Sequence, residues 1–366
     1  MLRSLYRRPG GRRLAALLNL ASGGRVAEIP VSPPFDLERR DAEPVAASPG
    51  EVTKRLWELI DEDDLAELLS LLTTEAIRQL DATEAQQRPF AELALCVDRG
   101  LPSVLEKTGL SAASPPEHIH AMGRGPLAAG GSYYYADLVV EGLRAGGGDP
   151  SWCSRALDFG CSSGRVVRVL AAAYPDTEWH GCDPNEAAVA WARENLHCIT
   201  FEVSPTEPPL RYPGEHFDLV IAISIWSHLS EKAAVAWLNE MARVVGRGGY
   251  LLLTGHGYQS VAHNARSHRV SYEDLARATT GMYRRGFWFI DNCFGGPGDN
   301  GVQSADWGLS FLSPEWMLTH APPAWSVVGF EAGRAEGNQD LYVLQRRERS
   351  RRRAQQPVGR SGPSPN

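Results

Sequence analysis

The chain has 366 residues, 43% of them hydrophobic, which suits one large α/β domain with appendages or two modest domains and excludes collagen-like, coiled-coil and wholly disordered chains. The formal net charge of −7 argues against a general nucleic-acid binder. The charge is uneven: residues 1–27 hold six Arg and no acid, 346–366 hold seven Arg and one acid, and 28–345 hold 24 basic against 43 acidic residues.

The first 48 residues read as a basic tail followed by a Pro- and Ala-rich linker. Ser48-Pro-Gly-Glu51 has the form of a capping box with Pro at the first helical position. Behind it Val52, Leu56, Leu59 and Ile60 share one helical face, and Leu65, Leu68, Leu69 and Leu72 share another after the acidic break Asp61–Asp64. A third helical stretch covers roughly 84–99. Residues 49–130 are expected to form a helical cap, serving as a pocket wall or an oligomerisation surface. From about 131 short apolar strands alternate with helices: RALDFG, TEWHGCD, CITFEV, FDLVIAIS and YLLLTG read as strands, and WSVVGFEA with DLYVLQRR as a final strand pair. Such alternation predicts a parallel sheet with helices on both faces.

No apolar run reaches the roughly 18–20 residues of a membrane span, so no stable membrane insertion is expected. The six cysteines show no CxxC spacing and read as reduced thiols of a cytoplasmic protein. Arg outnumbers Lys, of which there are three (Lys54, Lys107, Lys232), and Ala and Gly are abundant, which points to a GC-rich, bacterial source.

The most informative segment is Ala156–Arg165, ALDFGCSSGR. An apolar strand ends in Asp158, and Gly160 and Gly164 flank a turn into a helix whose free N–H groups suit a negative ligand group. The second strand ends in Asp183, where an acid is placed to bond ribose hydroxyls. The dinucleotide fingerprint G-x-G-x-x-G is incomplete, because Ser162 stands at its second glycine. Asp158 also repels an approaching phosphate but suits the positive amino and sulfonium groups of S-adenosylmethionine.

The segment resembles motif I of class I S-adenosylmethionine-dependent methyltransferases, [DE]-x-G-x-G-x-G, with Ser162 as the small replacement. Asp183 matches the family's ribose-binding acid, His216–Leu229 its fourth-strand motif, and Arg243–Thr254 the helix, turn and fifth strand. The resemblance covers about 132–260 and, more loosely, 313–345. It implies a Rossmann-like, mostly parallel seven-stranded sheet with an antiparallel last strand over residues 131–345, with S-adenosyl-L-methionine as cofactor. It also implies cofactor contacts from Asp158, Gly160, Cys161, Ser162, Gly164, Arg165, Asp183, Pro184, Ile223 and Ser224. Many members place an acid after the third strand; here Ser204 and Thr206 are the substitutes. Arg124 is a candidate for the cofactor's carboxylate, and Tyr133 heads a Tyr133–Tyr135 run placed to cover it.

A hydroxyl or amine acceptor needs a proton sink. His228, just past the fourth strand, is the first candidate base, and His256, after the fifth, the second. Residues 256–312, with nine aromatics and the segment FGGPGDNG, read as a substrate-lid insertion. Its contact candidates are Tyr283, Trp288, Asp291, Asp306 and Trp307, with a small satellite core as the plain alternative. Asp291, Asn292, Asp299 and Asn300 fit turn chemistry better than a metal site, so no metal is expected. GNQDLYVLQR, Gly337–Arg346, resembles a bacterial subgroup often met beside glycosyltransferases and in natural-product or glycan pathways. The expected function is methyl transfer to an oxygen or nitrogen of a small molecule or glycan, without nucleic acid as partner. A catalytically silent binding module and a nicotinamide-dependent oxidoreductase are the alternatives. Oligomeric state is left open, and 346–366 read as a second basic tail.

Overall fold

The computed structural model describes residues 50–83, 85, 87–119, 126–267, 270–291, 302 and 304–348. The first basic tail lies outside them, as does the second beyond Glu348, its first residue, Arg346, being the end of the last strand.

The helical region is five short helices: α1 (Glu51–Trp57), α2 (Glu62–Leu71), α3 (Thr74–Asp81), α4 (Arg88–Asp98) and α5 (Pro102–Thr108). The N-cap of α1 is Gly50, which offers no side chain, so the expected capping box does not close the helix. Asp137 closes it from another helix. Its carboxylate accepts from the N–H groups of Gly50 (2.9 Å), Val52 (2.8 Å) and Thr53 (3.1 Å) and from the Thr53 hydroxyl (2.6 Å). These are the donors that a helix start leaves without intrahelical partners. The acidic break is itself a helix start, a reciprocal cap between Asp61 and Asp64 in which Lys107 sits 2.6 and 2.7 Å from the two carboxylates. Val52, Leu56 and Leu68 are fully buried, but Leu59 and Leu69, expected on the same faces, are exposed because these helices end or turn before a full apolar stripe is covered.

Asp137 belongs to α6 (Pro126–Ala145), which spans the expected boundary at 130. The helix stops at Gly147, whose φ of +87° turns the chain, with Gly148 N–H donating to the Leu143 carbonyl at 2.8 Å. The sheet then runs β1 (Arg155–Phe159), α7 (Val167–Ala173), β2 (Glu178–Asp183), α8 (Glu186–Asn195), β3 (Thr200–Val203), β4 (Phe217–Ala222), α9 (Glu231–Val244) and β5 (Val245–His256). Next come α10 (Tyr258–Ser267), α11 (Tyr272–Arg285), a hairpin of β6 (Phe287–Ile290) and β7 (Leu309–Leu312), α12 (Pro314–His320), and the terminal pair β8 (Trp325–Ala335) and β9 (Gln339–Arg346).

The order is β3-β2-β1-β4-β5-β9-β8, parallel through β5, with β9 antiparallel to both β5 and β8. This is the expected Rossmann-like α/β sheet with its antiparallel last strand. Strand periodicity divides the core. Leu219, Ile221, Leu341 and Val343 face α6, α7 and α8, and α1 and α4 join that layer, while α2, α3 and α5 close a small separate core against α4. Val220, Ala222, Tyr342 and Leu344 face α9 and α12. The hairpin β6–β7 is an addition: β7 meets β5 only at its end, His256 opposite Phe311, and lies beyond the carboxyl end of β4. Ser310 N–H donates to the Ser227 carbonyl and Gly308 N–H to the His228 carbonyl, both at 2.8 Å. The hairpin thereby extends the sheet over the edge where parallel α/β sheets hold ligands. No helix among the described residues is long and apolar enough to cross a membrane.

Candidate active site

A cavity of about 1010 Å³, its open mouth included, lies at the carboxyl ends of β1, β2 and β4. Its first wall is the turn after β1. Gly160 has φ +81°, and a Cβ there would overlap the Ile225 side chain. Gly164 has φ +79° and does not line the cavity; a Cβ on it would lie 2.7 Å from Leu196 Cδ1, so it is a packing glycine. Ser162, in place of the middle glycine, keeps a positive φ of +48°, and its N–H donates to Asp183 Oδ2 at 2.8 Å. A hydrogen bond to a buried carboxylate thus offsets the cost of that backbone conformation.

Asp183 also accepts from Asn185 N–H at 2.8 Å, and with Asp158 it forms a buried acidic pair in the cavity wall. Burial, then the neighbouring Asp183, pushes the Asp158 carboxyl up to about 7, and Arg165 pulls the other way. Burial also pushes the Cys161 and Cys182 thiols well up, so both are inert, neutral neighbours. A positive ligand group would relieve the repulsion between the two carboxylates. This donor set therefore fits the ammonium and sulfonium of S-adenosylmethionine and fits a pyrophosphate poorly.

Asp158, Gly160, Cys161, Ser162, Arg165, Asp183, Pro184, Ser204, Thr206, Ile223 and Ser224 all line the cavity. Ser204 is set by its N–H donating to the Asp183 carbonyl at 3.0 Å. Arg124 lies outside the described residues. Tyr133 is a correction: its ring packs edge-on against Phe90 at 5.8 Å inside the helical layer, because α6 turns that face away from the cavity. Tyr135 does not line the cavity either but touches a residue that does, with the Arg165 guanidinium 4.9 Å from its ring.

The second wall is β4's following turn and the hairpin. His228 lines it, its ring stacked on Trp307 at 4.8 Å and 21°. Its Nδ1 lies 2.8 Å from the Gly308 carbonyl, which only accepts, so Nδ1 carries the proton and the neutral ring has its lone pair at Nε2. His256, expected as a second base, does not line the cavity. It is buried behind His228 with Nδ1 3.1 Å from the Ser310 carbonyl, and burial pushes its pKa down to about 3.

Of the five lid candidates, Trp307 alone lines the cavity. Asp306 accepts the Ser230 hydroxyl at 2.6 Å and ties the hairpin to the N-cap of α9. Tyr283 is 59% exposed on α11. Trp288 packs under Gly281 and Arg285 beside the satellite core of α10, α11 and β7, so the plain alternative describes it. Asp291 is exposed, and Asn292, Asp299 and Asn300 lie outside the described residues. Among the described residues no cluster of three or more His, Cys, Asp or Glu could hold a metal. Ile225, Leu229, Trp237 and Val302 also line the cavity and carry no sequence signal beyond apolarity. No described residue of 50–119 does.

The sequence profile of a family described as "Methyltransferase domain" matches residues 156–249. Trans-aconitate 2-methyltransferase of Methylobacterium nodulans is 30% identical over 104 residues, 27% of this chain and 36% of that protein, so the match spans about a third of the relative's length. Among solved structures, an S-adenosylmethionine-dependent methyltransferase from Mesorhizobium loti is 17% identical, with 60% of this chain and 100% of that chain covered and a TM-score of 0.40. The CcbJ methyltransferase of Streptomyces caelestis is 12% identical, with 62% and 92% covered and a TM-score of 0.39. With motif I, the acid ending β2 and the sheet order in place, residues 156–249 carry the methyltransferase domain that the profile describes.

Proposed function

We propose that the protein transfers the methyl group of S-adenosylmethionine to an oxygen or nitrogen of a small molecule or glycan precursor in a bacterial biosynthetic pathway. The observation that carries this reading is the buried Asp158–Asp183 pair and His228 on opposite walls of one cavity. When bound, the cofactor supplies an electrophilic methyl group on a sulfonium. Asp183 bonds the ribose, Asp158 balances positive charge, and the turn 160–165 bounds the cofactor's amino-acid end. Ser204 and Thr206 flank the base, and Ile223 and Ser224 close the opposite side. His228 takes the acceptor's proton at Nε2, and its bond to Gly308 and stack on Trp307 orient the ring for that role. Proximity and orientation supply most of the remaining rate.

The acceptor side is Leu229, Val302 and Trp307 around His228, and Arg165 is the one cation among the described lining residues. That wall favours an acceptor with an apolar part and a hydroxyl or amine over a polycarboxylate such as trans-aconitate. The test is labelled methyl transfer from S-adenosylmethionine into small-molecule and glycan extracts of the source organism. Label incorporation by the wild type and its loss in His228→Ala is the expected result. Cofactor binding without transfer, together with co-purification of a partner, would instead favour a silent binding module.

A further inference from the structure

The turn before β9 and the strand's first residues carry Asn338-Gln339-Asp340, part of a sequence motif to which the proposed reaction assigns no step. It docks against the ligand edge of the sheet. The Ser260 hydroxyl donates to the Asn338 carbonyl at 2.6 Å, and Asp340 accepts Gly333 N–H at 2.8 Å. Gln339 between them is buried, and its carboxamide joins three groups. Thr254 Oγ1 donates to Gln339 Oε1 at 2.6 Å, and Gln339 Nε2 donates to Ser224 Oγ at 2.6 Å. Ser224 N–H in turn donates to Thr254 Oγ1 at 2.7 Å, which closes a ring of hydrogen bonds. Ser224 lines the cavity and sits at φ +64°, a left-handed backbone that serine holds only when its surroundings fix it.

The same amide nitrogen lies 3.5 Å from His256 Nε2. His256 Nδ1 faces the Ser310 carbonyl and must donate, so Nε2 of the neutral ring is an acceptor, and this sets the carboxamide with its nitrogen toward the ring. One side chain therefore touches the cavity wall at Ser224, strand β5 at Thr254 and, through His256, strand β7 behind Trp307.

We infer that Gln339 is a positioning residue of the active site, holding the Ser224 wall of the cofactor cavity and the His256-anchored hairpin in one register. This rests on the methyltransferase reading. Gln339 touches neither cofactor nor acceptor; it acts through Ser224.

The test is calorimetric titration of the full chain with S-adenosylhomocysteine, alongside the melting temperature of the ligand-free protein. Gln339→Met removes the donor and acceptor at similar volume and weakens binding about tenfold, the equivalent of one buried hydrogen bond. In Ser224→Ala/Gln339→Met the losses are non-additive, because both act on one contact. Gln339→Glu binds weakly at pH 8, and its Kd relative to wild type at the same pH recovers as the pH falls, since the protonated acid regains the donor. A melting temperature that falls while Kd stays within about twofold of wild type would make Gln339 a packing residue and overturn the inference. Additive losses, or a Gln339→Glu ratio that does not change with pH, would overturn it too. Failure of the wild type itself to bind would remove the methyltransferase reading, a separate result.

Discussion

The two walls of the cavity are built in opposite ways. The wall of β1 and β2 comes from two strand ends close in sequence and is made largely of backbone: Gly160 and Ser162 at positive φ, and the Ser162 N–H on Asp183. Beyond β4, Ser224, held by Gln339 of β9, still borders the cofactor, and the acceptor wall is assembled from distant segments: His228 after β4, and Gly308 and Trp307 from the hairpin. A backbone wall suits a cofactor common to a whole family. A side-chain wall drawn from insertions suits an acceptor that differs from one member to the next.

That contrast predicts separable losses. The largest is His228→Ala, which lowers turnover by about 10²- to 10⁴-fold, the usual contribution of a general base. Its dissociation constant for S-adenosylhomocysteine stays near wild type, and a matching loss of cofactor binding would merge the two walls. Asp183→Ala removes the acceptor of the Ser162 and Asn185 N–H groups and weakens cofactor binding by about 100-fold, read by calorimetry. Asp137→Ala leaves the first N–H groups of α1 without their carboxylate and destabilises the fold by about 2–4 kcal/mol in denaturant titration. Cofactor affinity of its folded fraction is unchanged, because the helical layer packs on the sheet face and away from the site.

The smallest effect is on pH. The Asp158 carboxyl titrates near 7 in the ligand-free fold against an ordinary 3.8. With a raised pKa, its contribution to ligand-free stability is fully present below about 4 and is lost as the pH rises through about 7. A cationic ligand prefers the carboxylate, so affinity rises with pH up to about 7, by at most tenfold per unit, and binding below that releases a proton. The thermal shift produced by S-adenosylmethionine is therefore larger at pH 8 than at pH 6. A shift independent of pH would separate Asp158 from the ligand's charge.

What the sequence made legible follows the same division. Asp158, Gly160, Ser162 and Asp183 stand out because a tight turn and a strand-end acid are local requirements, readable within about 30 residues. His228 was readable from its place after β4. Gln339 was not: its motif was visible, but its role depends on a terminal hairpin that returns beside β5, a pairing no local pattern encodes. Tyr133 and Tyr135 differ by two positions on one helix, and spacing alone did not say which faces Arg165. The lid candidates Tyr283 and Trp288 share the composition of contact residues, yet Tyr283 faces solvent and Trp288 packs beside the satellite core of α10 and α11.

The central claim is that the acidic cavity takes a cationic adenosyl cofactor. Its most direct test is calorimetric titration of the wild type and a folded Asp183→Ala variant with S-adenosylmethionine at pH 8. Saturable one-to-one binding by the wild type, lost in the variant, is the predicted result; no binding by the wild type would contradict the account.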